Sequence, residues 1–99
     1  MTFKEQLENL FFRKKPVRIL MAIKSGKGPK YVSIIAKETD CTYSHTVKLL
    51  EEFSNMGLLF FDKKGRVKFV DLTKEGVEVS EKFEDLLRVF SKMKPKKSK

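Results

Sequence analysis

Apolar residues recur along this chain with two different periods, and each change of period marks an element. Phe3, Leu7, Leu10 and Phe11 fall three or four residues apart. That spacing predicts a first amphipathic helix ending at the basic triplet before Pro16. Pro16 suits the first turn of a second helix, from Val17 to about Lys24. Ser25-Gly26-Lys27-Gly28-Pro29 holds two Gly and a Pro in five residues, which predicts a loop. Tyr31-Val32 can add a short strand to a later hairpin, and Ser33 is a candidate N-cap for a brief helix from Ile34 to Thr39.

The turn Asp40-Cys41-Thr42 follows, with Thr42 placed to cap a longer helix from Tyr43 to Met56. Along that helix Thr46, Leu49, Leu50 and Phe53 share one face, with Val47 beside them, and Ser44, His45, Lys48, Glu51, Glu52 and Asn55 lie outside. Gly57 suits the left-handed residue that ends a helix. A short helix, a tight turn and a longer amphipathic helix predict a helix-turn-helix over 33–56.

The period then drops towards two. Leu58 to Phe61 has the apolar content of a strand, Val67-Lys68-Phe69-Val70-Asp71 alternates, and Asp62-Lys63-Lys64-Gly65-Arg66 lies between them. A β-hairpin with a basic tip is expected over 58–71. Thr73 is another candidate N-cap, and Val79, Phe83, Leu86, Leu87, Phe90 and Met93 form the apolar stripe of a long last helix. Residues 94–99, Lys-Pro-Lys-Lys-Ser-Lys, offer nothing to bury and predict a disordered basic tail. One domain is expected over 1–93.

Charge narrows the partners. Twenty-two Lys and Arg against thirteen Asp and Glu give a net charge of +9, which favours a polyanion. No apolar run approaches the roughly 20 residues of a bilayer span. Met1 to Gln6 lacks the apolar core of a secretory signal, so a cytoplasmic location and no membrane partner are expected. Cys41 is the only cysteine, which rules out an internal disulfide and a thiolate metal cluster within one chain. It reads as a small buried side chain in the turn. His45 is the sole histidine, the acids are scattered among lysines, and Ser25-Gly26-Lys27-Gly28 lacks the phosphate-loop spacing. The expectation is therefore no enzyme, no cofactor and no metal.

The order helix, helix-turn-helix, hairpin, helix, with I-A-K-E at 35–38, M-G-L-L at 56–59 and L-T-K-E-G at 72–76, resembles winged-helix transcription regulators of the MarR and ArsR type. The small, Lys-rich archaeal versions are the most similar, with T-Y-S-H from Thr42 to His45 opening the recognition helix. The resemblance covers about Pro16 to Phe90. It implies an α+β, mostly helical fold: a winged helix-turn-helix with a two-stranded wing and flanking terminal helices. Two residues depart from it. Asp40 stands where many relatives have Gly, in a turn that can require a left-handed backbone. Thr46 stands where Val is common.

The resemblance implies double-stranded DNA as the partner. Thr42, Tyr43, Ser44, His45 and Lys48 would then lie at the major groove, where Ser, His and Lys can meet base edges and Tyr a phosphate or a thymine methyl. Lys63, Lys64, Arg66 and Lys68 of the wing would contact backbone or minor groove, and Lys27, Lys30 and Lys37 would add phosphate contacts. An ordinary exposed helix end would equally explain Tyr43 and His45. The terminal residues Phe3, Leu7, Leu10, Phe11, Phe83, Leu87, Phe90 and Met93 exceed what so small a core needs, so a homodimer is expected through them. The reading is a sequence-specific, homodimeric repressor. The alternatives are a winged-helix module contacting protein or RNA, and a non-specific architectural DNA binder. An effector pocket has little room in 99 residues, and any effector is unknown.

Overall fold

The computed structural model describes residues 2–25, 30–64 and 67–94. Residues 26–29 of the predicted 25–29 loop and residues 95–99 of the predicted tail lie outside them, while Ser25 is the last residue of a helix rather than loop. Along the chain run α1 (Phe3–Phe11), α2 (Lys14–Ser25), β1 (Lys30–Tyr31), α3 (Val32–Glu38), α4 (Tyr43–Asn55), β2 (Leu59–Lys64), β3 (Val67–Leu72) and α5 (Lys74–Lys92). The sheet is antiparallel in the order β1-β3-β2. This is the expected α+β architecture, with β1 as a third strand beside the hairpin.

α1 starts at a reciprocal cap: the Glu5 amide donates to the Thr2 hydroxyl at 3.1 Å, and the Thr2 amide donates to the Glu5 carboxylate at 3.2 Å. Ile19, Leu20 and Ile23 of α2 form the middle of the core, met by Ile35 of α3, by Leu49, Leu50 and Phe53 of α4, and by Leu59 and Val70 of the hairpin. α2 begins at Lys14, ahead of the expected Val17, and Pro16 still falls in its first turn, where its missing N–H costs nothing. α3 also begins early. Tyr31 is its extended N-cap, and Ser33 lies inside the helix. The reason is Val32, which is buried and must turn inward as the strand ends.

Both ends of the helix-turn-helix close by the same device. At the end of α3 the Cys41 amide donates to the Ala36 carbonyl at 2.9 Å and the Asp40 amide to Lys37 at 3.3 Å. At the end of α4 the Leu58 amide donates to Phe53 and the Gly57 amide to Ser54, each at 3.0 Å. This pairing of amides with carbonyls one turn back requires a left-handed residue just past the helix. Gly57 supplies it at φ 82°, and Asp40 supplies it at φ 54°. Cys41 is half-buried in this turn, and its thiol lies 3.6 Å from the Thr39 carbonyl.

Candidate nucleic-acid interface

The amino end of α4 is fixed from both sides. Its first turn is capped by Thr42, whose hydroxyl accepts from the His45 amide at 3.2 Å. One turn on, the buried Thr46 hydroxyl donates to the Thr42 carbonyl at 2.8 Å. That bond gives the Thr46 hydroxyl a partner inside the core, which Val could not use. Thr46, Leu49, Leu50 and Phe53 are buried as the periodicity predicts. Tyr43 (54% exposed), Ser44, His45, Lys48, Glu51 and Asn55 face outward, while Glu52 is half-buried. No acid lies in the first turn, so the positive end of the helix dipole meets solvent uncompensated.

The hairpin separates its faces by register. Leu59 pairs with Leu72, Phe61 with Val70 and Lys63 with Lys68, and directly paired residues share a face. The face that packs on the helices near Leu59 therefore carries two lysines opposite one another towards the tip. Lys68 also lies 5.6 Å from the Phe61 ring centroid. Like charges directly across a ladder repel, and an anion between them removes the repulsion. The strand runs further than expected: Asp62, Lys63 and Lys64 belong to β2 rather than to a loop, and Lys64 pairs with Val67. Lys27, Arg66 and the Lys64 side chain lie outside the described residues.

The supporting lysines differ from one another. Lys37 is exposed on α3. Lys30 is turned inward: its ammonium donates to the Ala22 carbonyl at 2.6 Å and to the Glu38 carboxylate at 2.8 Å, and its side chain is 16% exposed. Two of its three donors meet in-chain acceptors, so it is not the free surface lysine that the sequence suggests.

The other sheet face carries Tyr31 and Phe69 with rings 4.7 Å apart, and Phe60 beside Asp71. Tyr31 and Phe60 are exposed there.

The terminal helices do not divide as their spacing suggests. Leu10 and Phe11 belong to the core: Phe11 stacks on Phe53 of α4 with ring centroids 5.6 Å apart and meets Phe83 of α5 at 5.0 Å. They are thus removed from the surface set, and Leu7 and Phe83 are half-buried against that core. Phe3, Leu87, Phe90 and Met93 are exposed, joined by Leu86, Val89 and Phe12, the last at 80%. From Glu84 to Lys94 every residue of the chain is exposed. Phe12 is the C-cap residue just past the end of α1, and it points away from the core that Phe11 enters. A groove of about 930 Å³ opens between α1, α2 and α5, lined by apolar residues that include Phe11, Met21, Phe83 and Leu87. Arg13 and Arg18, with Glu38, Thr39 and Asp40 of the helix-turn-helix, also line it.

No family model and no curated protein sequence matches the chain. Its fold is shared by solved structures. A protein from Archaeoglobus fulgidus is 21% identical with a TM-score of 0.78, over 88% of this chain and 99% of that one. A MarR family transcriptional regulator from Silicibacter pomeroyi is 19% identical with a TM-score of 0.71, over 87% of this chain and 65% of that one. A mutant of MepR from Staphylococcus aureus, bound to an oligodeoxyribonucleotide, is 19% identical with a TM-score of 0.72, over 91% and 72%. The chain thus spans about two thirds of the Silicibacter regulator. It has a winged helix-turn-helix fold similar to that of MarR family regulators. Among the described residues no helix is long and apolar enough to cross a membrane.

Proposed function

We propose that this chain is a double-stranded DNA-binding transcription regulator that reads sequence with the amino end of α4. The observation that carries this is the capped, acid-free start of α4 with Tyr43, Ser44, His45 and Lys48 directed outward. These groups can donate to or accept from base edges, and the helix end favours phosphate. The wing supports the reading, since a DNA phosphate near Lys63 and Lys68 would relieve their mutual repulsion. Lys64, Arg66, Lys27 and Lys37 add backbone attraction. The oligodeoxyribonucleotide bound to a MepR mutant of the same fold is consistent with this use of the scaffold.

The regulator is a homodimer in this reading, with terminal helices as the dimerisation segment of a 1–93 domain, and it represses where its site overlaps a promoter. Phe3, Phe12, Leu86, Leu87, Val89, Phe90 and Met93 are large apolar residues left exposed on the terminal helices, and a second copy would cover them. A two-fold dimer would present two α4 helices to half-sites about one helical turn apart.

Fluorescence anisotropy tests the reading, with the DNA upstream of the coding sequence and a scrambled duplex of equal composition over a salt series. Preference of tenfold or more, about 1.4 kcal/mol, with affinity falling steeply in salt, is expected. Equal affinity with the same slope would instead mark an architectural binder. A second reading, a protein-contact module, is favoured by the exposed Tyr31 and Phe60 on the outer sheet face. It predicts no duplex binding at low salt.

A further inference from the structure

We infer that Lys30 is a positioning residue that locks the wing to the helix-turn-helix, and not a ligand of phosphate; the inference rests on the DNA-binding reading above. Three elements meet at one ammonium. Lys30 sits on β1, where it pairs with Val70 of β3, the central strand of the sheet that forms the wing. Its Nζ donates to the Ala22 carbonyl of α2 at 2.6 Å and to Glu38 at 2.8 Å. Glu38 is the last residue of α3, immediately before the turn at Thr39 and Asp40 that aims α4.

An α4 end in the major groove and a wing tip on the flanking backbone engage one duplex together only if the angle between them is held. β1 is two residues long, too short to hold that angle by ladder hydrogen bonds alone. The Lys30 ammonium adds a directional restraint to the packing of Leu59 and Val70 on the helices, because its two bonds join the strand to the end of α2 and to the end of α3. An ammonium is a compact donor on a flexible stem that reaches two acceptors in different directions. Two of the three ammonium donors are used inside the chain and the carboxylate of Glu38 offsets its charge, so Lys30 is assigned to holding the elements together rather than to a phosphate.

The salt dependence of binding separates the two roles. Each neutralised phosphate contributes about −0.9 to the slope of log affinity against log salt, and a positioning residue contributes nothing to it. Lys30→Met and Glu38→Gln should each weaken binding to the upstream duplex about fivefold at fixed salt, should not add in the double variant, and should keep the wild-type slope. Lys63→Ala serves as the phosphate comparator, lowering the slope by about 0.9. All variants are first shown by thermal melts to be folded at the assay temperature. A slope that falls with Lys30→Met, or an affinity that does not change, overturns the inference.

Amide hydrogen exchange in the free protein reads the same latch without DNA. Lys30→Met should speed exchange at Cys41, whose amide is held by the Ala36 carbonyl, while leaving Leu50 protected. Unchanged exchange at Cys41 rejects the latch. A wild-type protein that binds no duplex rejects the DNA reading instead, and the exchange result still decides the latch.

Discussion

The Thr73 hydroxyl donates to the Gly57 carbonyl at 2.6 Å while accepting from the Gly76 amide at 3.0 Å. One oxygen thereby caps α5 and ties it to the left-handed residue that ends α4. The Thr73 amide adds a bond to the Leu58 carbonyl at 3.0 Å. M-G-L-L at 56–59 and L-T-K-E-G at 72–76 are thus the two sides of one joint, where the end of α4, the start of β2 and the start of α5 converge.

Gly76 is the tightest point of that joint. A Cβ placed there would lie 1.8 Å from the Leu58 carbonyl oxygen, a contact only backbone movement can relieve. Gly76→Ala should cost about 3 kcal/mol by urea unfolding, at the upper end for overpacking. Thr73→Ala, which loses the cap, should cost about 1 kcal/mol. Equal stability of Gly76→Ala and wild type would show that the α5 junction is looser than described.

Asp40 holds the left-handed conformation of the helix-turn-helix turn at φ 54°. Asp tolerates that region less well than Gly, and glycine pays back part of the gain as unfolded-state entropy. Asp40→Gly should stabilise the protein by about 0.5 kcal/mol net, raising the melting temperature by a few degrees. Asp40→Val, β-branched, should destabilise by more than 1 kcal/mol, measured in the same thermal scans.

Removing either member of the Lys63 and Lys68 pair ends a like-charge contact across the hairpin. Lys63→Ala and Lys68→Ala should therefore leave the free protein as stable as wild type, within about 0.5 kcal/mol. Duplex affinity should still fall in both, and the salt slope with it. A loss of affinity without a change of slope would place the wing away from the phosphates.

Phe12 and Phe90 are exposed and outside the described core. If the chain is the proposed dimer, wild type should sediment as a dimer and the double variant Phe12→Ser with Phe90→Ser as a monomer that binds the upstream duplex at least tenfold more weakly. Phe11→Ser, which opens the core between Phe53 and Phe83, should instead unfold the chain, losing roughly 3 kcal/mol or more. Sedimentation velocity and circular dichroism together distinguish the two outcomes.

Local chemistry determined by the sequence alone includes the caps at Thr42 and Thr73, the left-handed Gly57, the buried stripe of α4 and the alternating strand at Val67 to Asp71. Each is set by residues within one turn or one strand, where periodicity and capping act without reference to the rest of the chain. Tertiary structure alone decided which of two adjacent phenylalanines enters the core, because Phe11 is chosen by Phe53 and Phe83, distant in sequence. It decided the fate of Lys30 for the same reason. A lysine on a short strand reads as surface charge until folding brings the Ala22 carbonyl and the Glu38 carboxylate to its ammonium. The opposed Lys63 and Lys68 were likewise invisible, since a cross-strand pair exists only once register is set by the apolar face further down the hairpin.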